Sequence, residues 1–181
     1  GDTTTGTIDA ANYNTGVGVD VFESLSTGDR NTAIGFASMD ANTTGSDNTG
    51  IGNGSLGGNT TASCNVAVGS SALTTNTEGG NNVGIGCDAL QANTTASNNT
   101  AVGTSALAAN TTGDLNVAIG ALALDANTIG DRSIAIGYLS LSAQNPTSNE
   151  DMYNTAVGHA TMASTTTGTN NAAFGGLAMD K

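Results

Sequence analysis

A single glycine that recurs at a fixed 17-residue spacing constrains the fold of this chain more than any other feature. Eight such glycines follow one another without a break, and two more follow after one longer step between Gly137 and Gly158. They are Gly18, Gly35, Gly52, Gly69, Gly86, Gly103, Gly120, Gly137, Gly158 and Gly175. A fixed period of this length indicates stacked repeats, each of which contacts only its neighbours.

The residues around the repeat glycine recur as well, and positions are counted here from that glycine. Position −4 is Asn in every unit except one, where it is Ser133, and position −1 is Val or Ile except at Phe174. Position −2 is only Ala or Gly, and position +4 is Leu, Met or Phe. A second Asn recurs at +7 from Asn42 to Asn127, and Gln144 follows it in the next unit.

This pattern predicts an all-β fold, because a unit this short cannot hold a pair of helices. The string Asn-Thr-Ala-Val-Gly suits a strand, and Gly and Asn suit the turns between strands. We predict a parallel β-solenoid, or β-roll, of ten coils over residues 14–181, with a four-residue insertion within 144–153. Residues 1–13 are off-pattern and are predicted to be an N-terminal cap or boundary segment. At about 4.8 Å per coil the rod would be roughly 48 Å long.

Stacking of like on like predicts two continuous columns of large apolar side chains in the interior. The expected core residues are Ile34, Val68, Ile85, Val102 and Ile119 at position −1, and Leu73, Leu90, Leu107 and Leu124 at position +4. The recurring Asn residues are expected to be buried, bonding to backbone groups and to the Asn of the next coil.

The Ala/Gly column at −2 lies on the strand face opposite to the Val/Ile column. No polar side chain occurs there in ten units, so we expect both faces of the strand to be packed. The Ala/Gly face would then meet another copy of the chain around a twofold or threefold axis. A single chain with an unusually thin interior is the alternative.

The strings Asn65–Gly69, Asn116–Gly120 and Ser133–Gly137 resemble the YadA-like head repeats of trimeric autotransporter adhesins. They are also similar to repeats of bacterial surface proteins and phage tail-fibre-like proteins. The resemblance covers about residues 14–181 and implies a left-handed, trimeric β-roll on a cell or virion surface that serves adhesion or receptor recognition. The repeat unit of this chain departs from that family, whose head repeats are usually shorter.

The charge balance excludes several classes of function. The chain has 3 Lys+Arg, 15 Asp+Glu and a net charge of −12, so it lacks the basic surface that binds nucleic acid. No apolar run approaches the ~18 residues of a membrane-spanning helix. With 37% hydrophobic and 10% charged residues, a disordered polyelectrolyte is also disfavoured.

Residues that could carry chemistry are few and scattered. The only histidine, His159, occupies position +1, which accepts side chains as different as Phe36 and Asn53 and is therefore expected to be exposed. Cys64 and Cys87 occupy non-equivalent positions, so we predict two free thiols. No calcium-loop or phosphate-loop motif occurs. We therefore expect a non-enzymatic protein without catalytic residues, metal or cofactor.

The insertion is the one local irregularity and the candidate binding loop. It comprises Gln144, Asn145, Pro146, Thr147, Ser148, Asn149, Glu150, Asp151, Met152 and Tyr153. Loops on a rigid scaffold often carry binding residues. A neutral insertion into a tolerant turn is the alternative.

Three functions compete on these observations. The first is an extracellular adhesion or fibre module whose partners are further copies of itself and a host or surface ligand. The second is a filament protein that polymerises head to tail through open solenoid ends. The third is ice binding through Thr columns at the turns, disfavoured because adjacent turn residues do not form one flat face and because Glu78 and Ile129 interrupt one column.

Overall fold

The fold, taken from a computed structural model that describes residues 12–180, is all-β. These residues contain ten strands of three residues each and no helix. The strands are β1 Thr15–Val17, β2 Thr32–Ile34, β3 Thr49–Ile51, β4 Val66–Val68, β5 Val83–Ile85, β6 Thr100–Val102, β7 Val117–Ile119, β8 Ile134–Ile136, β9 Thr155–Val157 and β10 Ala172–Phe174.

The strands form one parallel sheet in chain order, so each coil adds one strand beside the previous one. Equivalent positions pair throughout: Thr100 pairs with Val117, and Val102 pairs with Ile119. The register holds across the insertion, where Ile134 pairs with Thr155. The predicted parallel β-solenoid, with coils of about 17 residues, is confirmed.

The repeat glycine ends each strand because no other residue fits there. Its φ lies between +113° and +143° in all ten coils, a region that L side chains rarely adopt. A Cβ on Gly86 would also lie 2.5 Å from the carbonyl oxygen of Gly103 in the next coil. The glycine therefore permits both the turn and the close stacking of coils.

The turn after the glycine directs the +4 side chain into the rod. Ser71 and Leu73, at +2 and +4, have φ of 56° and 53°, and the same alternation recurs along the rod. Left-handed backbone at a residue such as Leu costs about 1–2 kcal/mol. Burial of the leucine contributes about 1.5–3 kcal/mol and offsets this strain. The predicted leucine column is confirmed, and its members have no exposed surface: Leu73, Leu90, Leu107 and Leu124.

The predicted interior column at −1 is wrong. Ile34, Ile85 and Ile119 are 39%, 38% and 39% exposed, and Val68 and Val102 are only half-buried. These side chains point away from the rod. The Ala/Gly column at −2 faces the interior instead, with Ala67, Ala101 and Ala118 fully buried.

The thin interior explains this reversal. A Cβ on Gly84 would lie 3.4 Å from Cδ1 of Leu73 and 3.2 Å from the carbonyl oxygen of Ala89. A Cβ on Gly50 would lie 3.1 Å from Cε of Met39. The chain's own leucine and methionine column thus limits position −2 to Ala or Gly, and no second copy is needed to explain it.

Residues 1–11, most of the predicted N-terminal cap, lie outside the described residues. Within residues 12–180 no helix is long and apolar enough to cross a membrane.

Candidate functional site

The Asn column at −4 links each coil to the next. The side-chain oxygen of Asn65 accepts the backbone N–H of Asn82 at 2.9 Å. Its Nδ2 donates to the carbonyl oxygen of Gly79 at 2.9 Å. The same two bonds recur for Asn31, Asn48, Asn82, Asn99 and Asn116.

The Asn column at +7 forms a second ladder. Nδ2 of Asn76 donates to Oδ1 of Asn59 at 3.1 Å and to the carbonyl oxygen of Gly79 at 2.9 Å. Both columns therefore converge on one turn carbonyl in each of the six coils that have Asn at both positions. The predicted buried Asn ladders are confirmed, and because they satisfy one another they offer no polar group to a ligand.

The Gly137 coil departs from this pattern at two positions that compensate each other. Ser133 replaces the −4 Asn and is shorter, whereas Gln144 replaces the +7 Asn and is longer. Nε2 of Gln144 lies 3.0 Å from Oγ of Ser133 and 3.3 Å from Oδ1 of Asn127. Oε1 of Gln144 accepts a bond from Nδ2 of Asn154 at 2.9 Å.

Gln144 is therefore a buried structural residue, although the sequence placed it in the candidate binding loop. Pro146 and Met152 of that loop are buried as well. A Cβ on Gly130 would lie 3.0 Å from each of these two side chains, so they fill the space beside that glycine.

The exposed part of the loop is narrower than the sequence predicted. Glu150 is half-buried, and the exposed members are Asn145, Thr147, Ser148, Asn149, Asp151 and Tyr153. Three of them, Thr147, Ser148 and Asn149, are consecutive and form what is called here the loop tip.

Arg132 of the preceding turn holds the base of the loop. Its guanidinium pairs with Asp151 and lies 5.9 Å from the centre of the Tyr153 ring. The Tyr153 hydroxyl donates to Asp151 at 3.0 Å. The bond to Asp151 raises the pKa of Arg132 further above neutrality.

Backbone and side-chain bonds fix both ends of the loop. The N–H of Asp131 donates to the carbonyl oxygen of Glu150, and the N–H of Met152 donates to that of Asp131, each at 3.0 Å. Near the start of the loop, the Thr128 hydroxyl donates to Oδ1 of Asn145 at 2.7 Å. The loop tip is thus presented from an anchored base.

The histidine and the two cysteines, to which the sequence assigns no chemical role, lie in different coils. His159 is exposed, as predicted, and its ring lies 5.4 Å from that of Tyr138. Cys64 and Cys87 are free and exposed, which confirms the predicted thiols. A hydrogen bond to Asp88 raises the pKa of Cys87, which lowers its thiolate fraction. In the described part of the chain no three His, Cys, Asp or Glu side chains cluster as metal ligands would.

Two aspartates at +5 are partly desolvated but lie in separate coils. Burial raises the pKa of Asp40 and of Asp125. Oδ1 of Asp125 is buried without a hydrogen-bond partner. The two carboxyl groups belong to coils five steps apart, so they do not form an acid–base pair.

The threonine column at +8, which runs from Thr43 to Thr128, uses its hydroxyls within the rod. The Thr43 hydroxyl donates to the carbonyl oxygen of Thr60 at 2.9 Å, and Thr60 donates to that of Thr77 at 3.1 Å. The same bond recurs at Thr77, Thr94 and Thr111. These hydroxyls stabilise the stacking of coils.

Sequence reasoning missed the outward face of the sheet. The side chains at −3 and −1 of every strand point outward and are called here the outer strip. The strip comprises Thr15, Val17, Thr32, Ile34, Thr49, Ile51, Val66, Val68, Val83, Ile85, Thr100, Val102, Val117, Ile119, Ile134, Ile136, Thr155, Val157, Ala172 and Phe174. The strict Ala/Gly column between the two was the signal that could have found it.

Comparison of the chain with protein-family models, with curated proteins and with solved structures found no match. The geometry itself defines the class: a parallel β-solenoid repeat protein with ladders of internal hydrogen bonds, one anchored loop and an outer strip of mostly Val, Ile and Thr side chains.

Proposed function

We propose that this chain is a non-enzymatic module of an extracellular adhesion or fibre protein, located at a cell or virion surface. The rod provides a stiff support, and the loop tip provides recognition. The observation that carries the proposal is the anchored loop. An ion pair holds its base, and its tip has three consecutive exposed polar residues. The Asn columns of the rod, by contrast, use their polar groups in bonds within the rod.

The rod is well suited to a support role. Each coil is hydrogen-bonded to the next through strand pairs, and the central coils are also joined by two Asn ladders and a Thr column, so bending would break bonds between coils. Both described arginines, the residues that trypsin would need, form ion pairs: Arg30 with Asp47 and Arg132 with Asp151. These features favour a module that persists outside the cell.

The loop tip offers hydroxyl and amide groups, which suit hydrogen bonding to a polar surface such as a glycan or a glycoprotein. Arg132, Asp151 and Tyr153 fix the base of the loop. Because the base is already ordered, binding at the tip would cost little conformational entropy.

The test uses fluorescently labelled chain on a glycan array and on plates coated with collagen, fibronectin or mucin. The variant T147A/S148A/N149A removes the tip's polar groups, whereas T44A/T61A/T95A removes exposed hydroxyls from regular turns and is the matched control. We expect binding of the wild type and of the control to at least one surface, and at least a tenfold loss in the tip variant. Equal binding by the tip variant, or no binding by the wild type, would contradict the proposal.

A further inference from the structure

Tyr153, the last residue of the loop, is an exposed aromatic side chain whose orientation is fixed. It is 52% exposed, yet its hydroxyl donates to Oδ2 of Asp151 at 3.0 Å. The guanidinium of Arg132 lies 5.9 Å from the centre of its ring and pairs with the other oxygen of the same carboxylate. The ring is therefore held in place at the surface without being buried.

Polar side chains border this ring along the rod. Arg132 and Asn170 occupy the same position, −5 from the repeat glycine, in the coils before and after that of Tyr153, and both are exposed. Neighbouring coils are about 4.8 Å apart, so all three side chains lie within the span of one small ligand. Tyr153 thus combines an apolar surface with hydrogen-bonding groups at its edge.

The charges beside the ring disfavour an ionic ligand of either sign. Burial, together with the charges of Asp114 and Asp151, raises the pKa of Asp131, which shows that these carboxylates act on one another. They would repel an anion, and Arg132 is already paired with Asp151. A cation stacked on the ring would meet the Arg132 guanidinium, which lies over it. An uncharged ligand meets neither repulsion.

We propose that Tyr153 is the platform on which the loop binds an uncharged sugar ring of a glycan. This inference rests on the proposed function and names the ligand class of its loop. A pyranose ring has an apolar C–H face and hydroxyl groups around its edge, which matches an aromatic ring bordered by polar groups.

The physics of the contact favours this ligand. The face of an aromatic ring carries partial negative charge, which attracts the C–H hydrogens of the sugar. Tyrosine provides a large contact area with only two side-chain torsions, and here Asp151 and Arg132 already hold it. Binding therefore costs little side-chain entropy.

The test is a glycan array probed with the fluorescently labelled full chain. The array carries neutral glycans that end in galactose, mannose or N-acetylglucosamine, and the sialylated form of each galactose-terminated glycan. We expect the wild type to bind at least one neutral glycan. A sialylated counterpart should bind at least about tenfold more weakly, because the nearby carboxylates repel its charge.

Two substitutions at Tyr153 form a matched pair, because both remove the bond to Asp151 but only one keeps an aromatic ring. We expect Y153F to bind within about threefold of the wild type and Y153L to lose at least about tenfold. Tyr13 occupies position −5 of the first coil, is 85% exposed and lies outside the loop, so Y13L is the control and should bind like the wild type. Circular dichroism and thermal melting show whether each variant keeps its β-structure.

Three results would overturn the platform. They are equal losses in Y153F and Y153L, unchanged binding in Y153L, and a preference for the sialylated glycans.

Failure here is distinguishable from failure of the proposed function. If the wild type binds collagen, fibronectin or mucin through the loop tip, and that binding survives enzymatic removal of glycans, the sugar platform is wrong and the proposed function stands. A wild type that binds none of the surfaces contradicts both. Glycan binding that Y153L abolishes and T147A/S148A/N149A leaves unchanged would support the platform and contradict the role of the tip.

Discussion

The two faces of each strand differ in a way that hydrophobicity alone does not anticipate. Ala118, on the inner face, has no exposed surface, whereas the larger and more apolar Ile119 beside it is 39% exposed on the outer face. The inner face lies against the leucine column, which leaves space only for a methyl group or a hydrogen atom. In this rod, the smallest side chains of the strand mark the inside.

The largest expected effect comes from adding an atom between two stacked coils. We expect G86A to lower the free energy of unfolding by about 3–5 kcal/mol, because the alanine needs a φ near that of glycine and its Cβ meets the next coil. Gly175 has a φ of 113° but no neighbour within 4 Å of its would-be Cβ. G175A should therefore lose only about 1–2 kcal/mol, from strain alone.

Urea unfolding, followed by circular dichroism, measures this difference. If both substitutions were equally costly, coil-to-coil contact at the repeat glycine would not be the cause.

Two substitutions in the same strand test the contrast between its faces directly: one enlarges Ala118 on the inner face, and the other shortens Ile119 on the outer face. We expect A118L to destabilise the rod by about 3 kcal/mol, because the interior has no room for three more carbon atoms. I119A should cost less than about 1 kcal/mol, since Ile119 is 39% exposed and loses little burial. Chemical unfolding of both variants provides the measurement, and a larger loss for I119A would reverse the assignment of the faces.

Substitutions in the polar ladders should cause a smaller loss of stability. We expect S133N and Q144N each to cost about 1–2 kcal/mol, the first through crowding and the second through lost hydrogen bonds. The double variant S133N/Q144N restores the pattern of the regular coils and should lose less than the sum of the two. A double-mutant cycle that gave additive losses would show that the two residues do not compensate each other.

The smallest effect concerns pH. The raised pKa of Asp125 means that the folded state binds its proton more readily, so its contribution to stability falls as pH rises from the ordinary aspartate pKa to the raised one. At pH 7, D125N should be more stable than the wild type by at most about 1 kcal/mol. The advantage should vanish in acid.

Asp47 provides a control of opposite sign. A hydrogen bond and ion pair with Arg30 lower the pKa of Asp47, so its stabilisation is present above the ordinary aspartate pKa and is lost as pH falls through the lowered one. D47N should therefore never be more stable than the wild type. Thermal melting of D125N, D47N and the wild type from pH 7 into the acid range shows whether each stability difference changes in the expected direction.

The sequence was sufficient for the fold and for the ladders, because a fixed period forces equivalent residues to stack. The regular step predicted the pairing of Thr100 with Val117, and the recurring Asn predicted both hydrogen-bonded columns. The sequence did not show which face of each strand is turned to the interior, because the alternation of side chains shows only which residues share a face. The width of the interior decides that, and it depends on how the +4 leucine folds back.

The candidate loop was predicted only in part for a similar reason. Its extent follows from the broken period, but the burial of Gln144, Pro146 and Met152 depends on space beside Gly130 and Ser133 in the preceding turn. The anchoring by Arg132 links residues 19 positions apart, and no local pattern in the sequence indicates it.

The orientation of the strand faces is the central claim, and methyl–methyl nuclear Overhauser effects test it most directly. With the Ala, Ile, Val and Leu methyl groups labelled in the wild-type chain, we expect cross-peaks from the Ala101 methyl to the methyl groups of the leucine column, Leu90 and Leu107. The Val102 methyl groups should show cross-peaks only to neighbours in the outer strip, above all to its register partners Ile85 and Ile119. Cross-peaks from Val102 to Leu90 or Leu107, with none from Ala101, would contradict the account.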